Sequence, residues 1–233
     1  SLHLLSFNMH KGIGWLTKRS TVNQVREEIR RLSPDFILLQ ETQGMQFEFL
    51  AEEIWPHFCY GKNAVYAKGH HGNAVLSKYP ITQHQNLNIS MGWYERRGLL
   101  HATIKLPNQP LHILCVHLSL LGKPRFKQIK LIADYIKREI PSHESIILGG
   151  DFNDWRQHAT DLLVKKTGLR EAFLDYQGAY AKSYPAWAPV LYLDRLYTRG
   201  FTTRRAARLT KHPWRILSDH LALDVLLQNK SSS

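Results

Sequence analysis

The stretch that decides the fold runs from Ser145 to Asp154 and has the sequence SIILGGDFND. Its first half is a short, uninterrupted apolar run, which is typical of a strand covered on both faces. Two glycines follow, and they let the backbone turn tightly before acidic and amide side chains alternate onto one side of a loop. The stretch therefore predicts a buried strand whose end presents Asp151 and Asn153 as candidate functional residues.

Polar residues also mark the ends of other apolar runs. They are Asn8 after residues 4–7, Glu41 after residues 36–40, His117 after residues 113–116, and Asp219 with His220 before residue 221. Each has an ordinary alternative when taken alone, as a turn residue, a helix-cap partner or a core histidine. If the strand ends converge, however, carboxylate, carboxamide and imidazole side chains line one cleft, and no cysteine thiolate is among them. Oxygen donors of this kind suit a hard cation, Mg²⁺ or alternatively Mn²⁺.

Strand-like and helix-like stretches alternate along all 233 residues without a linker or a repeat. This predicts one domain over residues 1–227 and a disordered tail over residues 228–233. Helices are predicted at 21–32, 124–139 and 159–167, the first with a capping box formed by Thr21 and Gln24. Strands are predicted at 2–8, 36–40, 58–67, 73–78, 81–87, 99–105, 111–117, 145–149, 192–198, 201–209 and 221–227. The pattern indicates a mixed α/β architecture.

Charge and composition restrict the possible partners. The chain has 31 Lys and Arg against 19 Asp and Glu, a formal charge of +12. This charge favours polyanionic partners such as nucleic acid, lipid headgroups or phosphorylated small molecules, with a solubility role as the less favoured alternative. The 43% hydrophobic content excludes a disordered chain, and no apolar run is long enough to span a membrane. Cys59 and Cys115 have no metal-type spacing, and a reducing, cytoplasmic location is expected.

The ordered set of polar motifs resembles the endonuclease/exonuclease/phosphatase superfamily. This superfamily includes DNase I, exonuclease III, the AP endonucleases, neutral sphingomyelinases and inositol polyphosphate 5-phosphatases. The motifs are Asn8, Gln40-Glu41, His117, Gly150-Asp151-Phe152-Asn153, Asp194 and Ser218-Asp219-His220. They extend from the first strand to the last, so the resemblance covers nearly the whole chain.

The resemblance implies a four-layered α/β sandwich, in which two mixed, mostly antiparallel sheets lie face to face with helices outside. It also implies a metal-dependent phosphoester hydrolase site at one edge of the sheets. The implied metal ligands are Asn8, Glu41 and Asp219. The implied catalytic residues are His117, Asp151, Asn153, Asp194 and His220. The implied phosphate-binding residues are Asn73, Arg97 and Arg125.

Two departures from the family pattern bear on the substrate. His10 stands where the abasic-site repair enzymes carry Asp, and His117 stands where they carry Tyr. Both differences disfavour abasic-site specificity and favour the DNase I-like, sphingomyelinase-like and phosphatase-like branches. Membership of the family would fix the reaction class but not the substrate.

A basic stretch between Asp194 and Ser218 suggests the substrate. Arg204, Arg205, Arg208 and Lys211 are interpreted as nucleic-acid-binding residues, with a solvated edge strand as the alternative. Trp155, Trp187 and Trp214 stand in predicted loops, and core positions are favoured for them over contacts with bases.

The leading hypothesis is a monomeric, Mg²⁺-dependent nuclease that cleaves DNA with little base specificity. The first alternative is a lipid or inositol-phosphate phosphoesterase of the same fold, whose basic surface would contact anionic lipid. The second alternative is a catalytically silent binding protein, which the full set of carboxylates disfavours.

Overall fold

A computed structural model describes residues 1–52, 55–66 and 69–230 of the chain. Within these residues the strands are β1 (Leu2–Asn8), β2 (Phe36–Gln43), β3 (His57–Tyr66), β4 (Gly69–Ser77), β5 (Ile81–Asn88), β6 (Gly98–Lys105), β7 (Pro110–His117), β8 (Ser145–Asp151), β9 (Arg170–Glu171), β10 (Asp194–Arg199), β11 (Phe201–Arg208) and β12 (Leu223–Asn229). The helices are α1 (Val22–Leu32), α2 (Gly44–Ala51), α3 (Gly122–Glu139), α4 (Ala159–Thr167), α5 (Ala172–Gln177) and α6 (Trp214–Leu217).

The strands form two mixed sheets of six strands each. The first has the order β11-β12-β1-β2-β4-β3 and the second has the order β5-β6-β7-β8-β10-β9. The β1–β2 and β7–β8 pairs are parallel, and the other pairs in both sheets are antiparallel. The predicted four-layered sandwich of mostly antiparallel sheets is confirmed.

Three apolar clusters hold the layers together. The central cluster lies between the two sheets and includes Leu4, Leu38 and Ile147. A second cluster covers the outer face of the second sheet with α3 and α4, through residues such as Ile136. A third covers the outer face of the first sheet with α1 and α2, through residues such as Ile29. Because apolar residues alternate between the two faces of each strand, both faces of each sheet are buried.

The strand register brings the polar strand ends to one edge of the sandwich. Asn8 lies opposite Gln40 in the first sheet, and Asp151 lies opposite both His117 and Asp194 in the second. Parallel central strands end at the same edge, so the residues that follow them meet there. This edge is called the site edge below.

Several local predictions were wrong. Thr21 is the N-cap of α1 without a side-chain capping bond, because its hydroxyl donates to the Leu217 carbonyl oxygen instead. The helices α2, α5 and α6, which have eight residues or fewer, were not predicted from the sequence. β12 continues to Asn229, so the first two residues of the predicted tail lie in a strand. Residue 67 of one predicted strand and residues 231–233 of the tail lie outside the described residues.

In the described ranges, no helix combines the length and the hydropathy that are needed to cross a membrane.

Candidate active site

Asp151 ends β8 and lies at the centre of the candidate site. One carboxylate oxygen accepts from the Asn153 backbone N–H (2.9 Å), and the other accepts from the Asn8 side-chain amide (3.1 Å). The turn that places it depends on Gly150, whose φ is +139°. A Cβ at this position would lie 1.9 Å from the Val116 carbonyl oxygen, so no larger residue fits.

His220 is held against two buried carboxylates. Its Nδ1 lies 2.8 Å from Asp194 Oδ2, and its Nε2 lies 3.6 Å from Asp151 Oδ2. Asp194 also accepts from the Ser183 hydroxyl, so its position is fixed from both sides. The three residues form a chain in which Asp194 orients His220 and His220 faces Asp151.

The site residues shift each other's protonation equilibria. Burial raises the pKa of Asp151 to about 7, although the neighbouring His220 acts in the opposite direction. Burial alone would lower the pKa of His220, but the Asp194 and Asp151 carboxylates outweigh it and raise this pKa to about 10. His220 is therefore an imidazolium at neutral pH, and Asp151 titrates close to neutrality.

Glu41 reaches the site through an unusual backbone conformation. Strand alternation directs Gln40 between the sheets, where its amide donates to Cys115 Sγ. Glu41 has a φ of +51°, and the pairing of β2 with β4 shifts register between Leu39 and Thr42. This combination turns the Glu41 carboxylate into the site, 3.3 Å from the Asn8 amide nitrogen.

Asn8 connects the carboxylates of the two sheets. Its amide nitrogen donates to Glu41 and Asp151, and its carbonyl oxygen accepts from the His10 backbone N–H. These partners fix the orientation of the amide. In this arrangement Asn8 positions two carboxylates, and its role as a direct metal ligand stays a prediction.

Two further predicted residues complete this group. Asp219 Oδ2 lies 3.3 Å from His10 Nδ1. His117 ends β7 with its Nε2 3.5 Å from Asp151 Oδ2 and 3.9 Å from Glu41 Oε1. Burial lowers the pKa of His117 well below its ordinary value, and Arg97 and His220 add to this shift. His117 is therefore neutral beside a cationic His220.

The assembled side chains line a cleft of about 380 Å³ at the site edge. The cleft is lined by His10, Glu41, Arg97, His117, Leu120, Asp151, Asn153, Trp155, Tyr184, Leu191, Leu193, Asp219 and His220. Carboxylate oxygens from Glu41, Asp151 and Asp219 therefore face one space, as a hard divalent cation requires. Asp151, Asp194 and His220 also bring one possible ligand atom each within 4.8 Å of one another.

The three predicted phosphate-binding residues have different positions. Arg97 lines the cleft and is paired with Glu95 at 2.8 Å. Asn73 is fully buried and donates to the carbonyl oxygens of Gly98 and Cys115, which ties the two sheets together. Arg125 is buried and donates to the carbonyl oxygens of Ser119 and Leu120. Only Arg97 of the three lines the cleft.

The structure does not bring the predicted nucleic-acid-binding residues into the cleft. Arg204 donates to Gln228, and Arg205 is paired with Asp224 at 2.8 Å. Both lie within the edge strand β11, whose end near the site edge is Arg208. Arg208 donates to the Lys182 carbonyl oxygen, and Lys211 is exposed in the loop before α6. The solvated edge strand, given above as the alternative, describes Arg204 and Arg205 in this structure.

Sequence reasoning missed two residues that shape the site. Ser183 holds Asp194, and the Tyr184 ring lies 5.0 Å from the His220 ring. They belong to the long loop before β10, where no strand end or motif marks them. The core positions favoured for the tryptophans hold for Trp214 alone, because Trp155 and Trp187 are exposed.

Comparison with known proteins identifies the family. The profile of the Endonuclease/Exonuclease/phosphatase family matches residues 5–220. The uncharacterized protein YbhP of Escherichia coli K12 is 38% identical over 240 aligned residues, which cover 96% of this chain and 94% of YbhP. This chain belongs to the endonuclease/exonuclease/phosphatase family. Members of the family are phosphoesterase hydrolases.

More distant relatives differ in what they act on. Sphingomyelinase C of Bacillus cereus is 31% identical over 96 residues, which cover 35% of this family member and 29% of the sphingomyelinase. A humanized TDP2 of D. rerio has a TM-score of 0.79 at 19% identity, over 98% of this chain and 99% of its own. A mannosyl-6-phosphatase of Bacteroides thetaiotaomicron has a TM-score of 0.78 at 20% identity, over 98% and 100%. The two structural likenesses show the shared fold.

Proposed function

We propose that this family member is a divalent-cation-dependent phosphodiester hydrolase. The observation that carries the proposal is the buried chain Asp194–His220–Asp151, which meets the Glu41 and Asp219 carboxylates in one cleft. Acid, base and cation-binding groups are thus available around one substrate-sized space.

Glu41 and Asp219 would hold the cation, because their carboxylate oxygens face the cleft. Asn8 would fix the Glu41 carboxylate through its amide. When bound, Mg²⁺ or Mn²⁺ supplies Lewis-acid polarisation of a phosphoryl oxygen. We assign Asp194 to His220 rather than to the ion, since the 2.8 Å hydrogen bond between them already accounts for their proximity.

The protein's own groups would handle the proton and the phosphate charge. Asp151, with a pKa of about 7, is matched to accept a proton from the attacking water. The His220 imidazolium would bind a phosphate oxygen and stabilise the negative charge that develops on it. Neutral His117 and cationic Arg97, which also line the cleft, would contact the remaining oxygens or the leaving group.

Two substrate classes compete within this function. The nuclease hypothesis depends on the basic stretch, and three of its arginines, Arg204, Arg205 and Arg208, lie in β11 with polar partners of their own. The relatives do not decide the matter, since one is a sphingomyelinase and another structure is a TDP2 with a single-strand DNA product. Exposed apolar side chains in the loops at the site edge favour a lipid phosphodiester.

The test of the common function uses a soluble diester. Hydrolysis of bis(p-nitrophenyl) phosphate is measured with Mg²⁺, with Mn²⁺ and with EDTA. Asp151→Asn is expected to lower kcat by about 10²- to 10³-fold, because it removes the proposed base. Asp161→Asn, an exposed site on α4, is the matched control and should leave the rate unchanged.

A second experiment compares plasmid DNA, single-stranded DNA, RNA, sphingomyelin and inositol phosphates under the same conditions. Turnover of one class identifies the substrate. Absence of metal-dependent turnover on every diester, together with absence of Mg²⁺ binding, would support the silent binding protein instead.

A further inference from the structure

Large apolar side chains are exposed in an uneven pattern in the described part of the chain. Most of them lie in loops at the site edge, around the candidate active site. Six of these exposed residues form a group called the apolar rim: Leu16, Trp93, Leu120, Leu121, Trp155 and Trp187. Trp93 is 88% exposed and Leu120 is 68% exposed, so most of the surface of each residue contacts water. A concentration of this kind marks an interaction surface.

The rim residues belong to different loops at the site edge. Leu120 and Trp155 line the catalytic cleft themselves. The loop that carries Trp93 is joined to the loop that carries Leu120, because the Leu120 N–H donates to Glu95 at 3.4 Å. Trp187 stacks on Trp15 at 5.7 Å between ring centroids, which places the loop of Leu16 beside the loop of Trp187. The rim residues therefore lie in neighbouring loops at the edge of the sandwich that carries the cleft.

Exposed cations accompany the rim residues. The exposed Lys18 lies two residues after Leu16, and the exposed Lys123 lies two residues after Leu121. The exposed Arg96 lies three residues after Trp93. Arg156 lies over the Trp155 ring, with 4.6 Å between the guanidinium carbon and the ring centroid. Apolar tips beside lysines and arginines complement a surface whose outer layer is anionic and whose interior is apolar.

We propose that the apolar rim docks this protein on an anionic phospholipid bilayer and that the substrate phosphodiester belongs to a membrane lipid. This inference rests on the proposed function, since the cleft inside the rim must hydrolyse phosphodiesters. Docking brings the cleft down onto the headgroup layer, where the cations meet lipid phosphates and the rim side chains enter the interface.

The aliphatic members of the rim distinguish lipid from nucleic acid. Base stacking needs aromatic or guanidinium planes, which Leu16, Leu120 and Leu121 lack. A bilayer removes aliphatic and aromatic side chains alike from water, and tryptophan is enriched at its interface. The rim as a whole therefore fits a lipid surface better than a single strand.

A second cleft of about 400 Å³ adjoins the catalytic cleft on the side of α3 and shares Leu120 and Trp155 with it. This cleft has a mixed lining, which is apolar at Phe126 and Ile129 and charged or titratable at Lys123, Arg125, Asp154, Arg156 and His158. Its position suits the apolar part of a lipid whose phosphate occupies the catalytic cleft.

The test is sedimentation of the full chain with vesicles of phosphatidylcholine alone or with added phosphatidylglycerol, in EDTA. The variant Trp93→Glu/Leu121→Glu changes two rim residues that do not line the catalytic cleft. The control Val164→Glu/Tyr176→Glu makes the same change in charge, again at one aliphatic and one aromatic exposed position, on α4 and α5. We expect the rim variant to bind phosphatidylglycerol vesicles about tenfold or more weakly than the control, and the control to bind like the wild type.

Three results would overturn the docking proposal. They are equal vesicle binding by the two double variants, absence of vesicle binding by the wild type, and loss of single-stranded DNA binding in the rim variant with vesicle binding retained. The last result would make the rim a nucleic-acid surface. Hydrolysis of bis(p-nitrophenyl) phosphate is followed in parallel and should be equal in all three proteins. If the wild type binds vesicles but hydrolyses no diester, the proposed function fails while the docking surface stands.

Discussion

Asp194→Asn is the change that tests most directly how the site works. The substitution keeps the shape of the side chain and an oxygen that can accept from His220 Nδ1, but it removes the negative charge. Asp194 is buried, so water cannot solvate the His220 imidazolium in place of the lost carboxylate charge. The experiment therefore separates the electrostatic role of Asp194 from its role in positioning His220.

The geometry sets the size of the effect. His220 Nδ1 and Asp194 Oδ2 are 2.8 Å apart. At an effective dielectric constant of about 20, two unit charges roughly 3 Å apart interact by about 5.5 kcal/mol. We expect about 3 to 5 kcal/mol of this to be lost from the transition state, a decrease in kcat of about 10²- to 10⁴-fold.

The pH profile should change in a definite direction. In the wild type, burial lowers the pKa of His220 but the carboxylates raise it to about 10, so the imidazolium persists at alkaline pH. Without the Asp194 charge, burial counts for more and His220 loses its proton at lower pH. The deficit of the variant should therefore grow between about pH 6 and about pH 9.

The assay is steady-state hydrolysis of bis(p-nitrophenyl) phosphate across this pH range, with folding checked by thermal melting. Ser183→Ala is the matched control, because it removes the other hydrogen bond to Asp194 and keeps the charge. It should cost about tenfold or less in kcat. A value for Asp194→Asn within about threefold of wild type, with an unchanged pH profile, would refute the role of an imidazolium at His220.

Three further predictions concern the cation, the basic strand and acid stability. Glu41→Gln should abolish the increase in melting temperature caused by Mg²⁺, because Glu41 offers a carboxylate to the cleft, whereas Glu48→Gln on α2 should retain it; an equal increase in both would contradict the ligand role. Arg204→Ala/Arg205→Ala should leave plasmid DNA binding unchanged, since these side chains are bound to Gln228 and Asp224, and a large decrease in binding would restore the nucleic-acid hypothesis. Burial, with a contribution from His112, lowers the pKa of His101 from 6.5 to about 4, so the unfolded chain takes up this proton first as the pH falls. Titration of His101 should therefore contribute a decrease of about 2 kcal/mol in the free energy of unfolding between pH 7.5 and pH 5, measured as the difference in pH dependence between the wild type and His101→Gln in urea titrations; equal pH dependence of the two proteins would disprove this assignment.

The strands that position the site could be predicted from local sequence, because a buried strand in a central position needs a continuous apolar run. Residues 36–40 and 145–149 are such runs, and both lie in central strands. The short helices α2, α5 and α6 could not be predicted, because one or two turns carry too little periodicity. Thr21 shows the same limit, since a distant carbonyl oxygen takes the hydrogen bond that the local pattern assigned to a cap.

Candidate site residues could be identified in the sequence from their positions at strand ends, but the contacts between them could not be predicted. Nothing near Glu41 in the sequence indicates its left-handed conformation, which follows from the register shift between two strands. The basic stretch illustrates the opposite error, because Arg204 and Arg205 are near the site in sequence but belong to an edge strand. Ser183 was missed because its contact with Asp194 is made across a loop, and the fold of that loop is not indicated by a local sequence pattern.

The sequence by itself determined which segments are buried strands and which acidic, amide and imidazole groups stand at their ends, because these depend on local hydrophobic pattern. The tertiary structure decided which of those groups touch, which arginines are engaged elsewhere, and that exposed apolar side chains from different loops lie at the same edge of the sandwich as the cleft. These are contacts between residues far apart in the chain, as between Asn8 and Asp151, and only the packing of the two sheets fixes their distances.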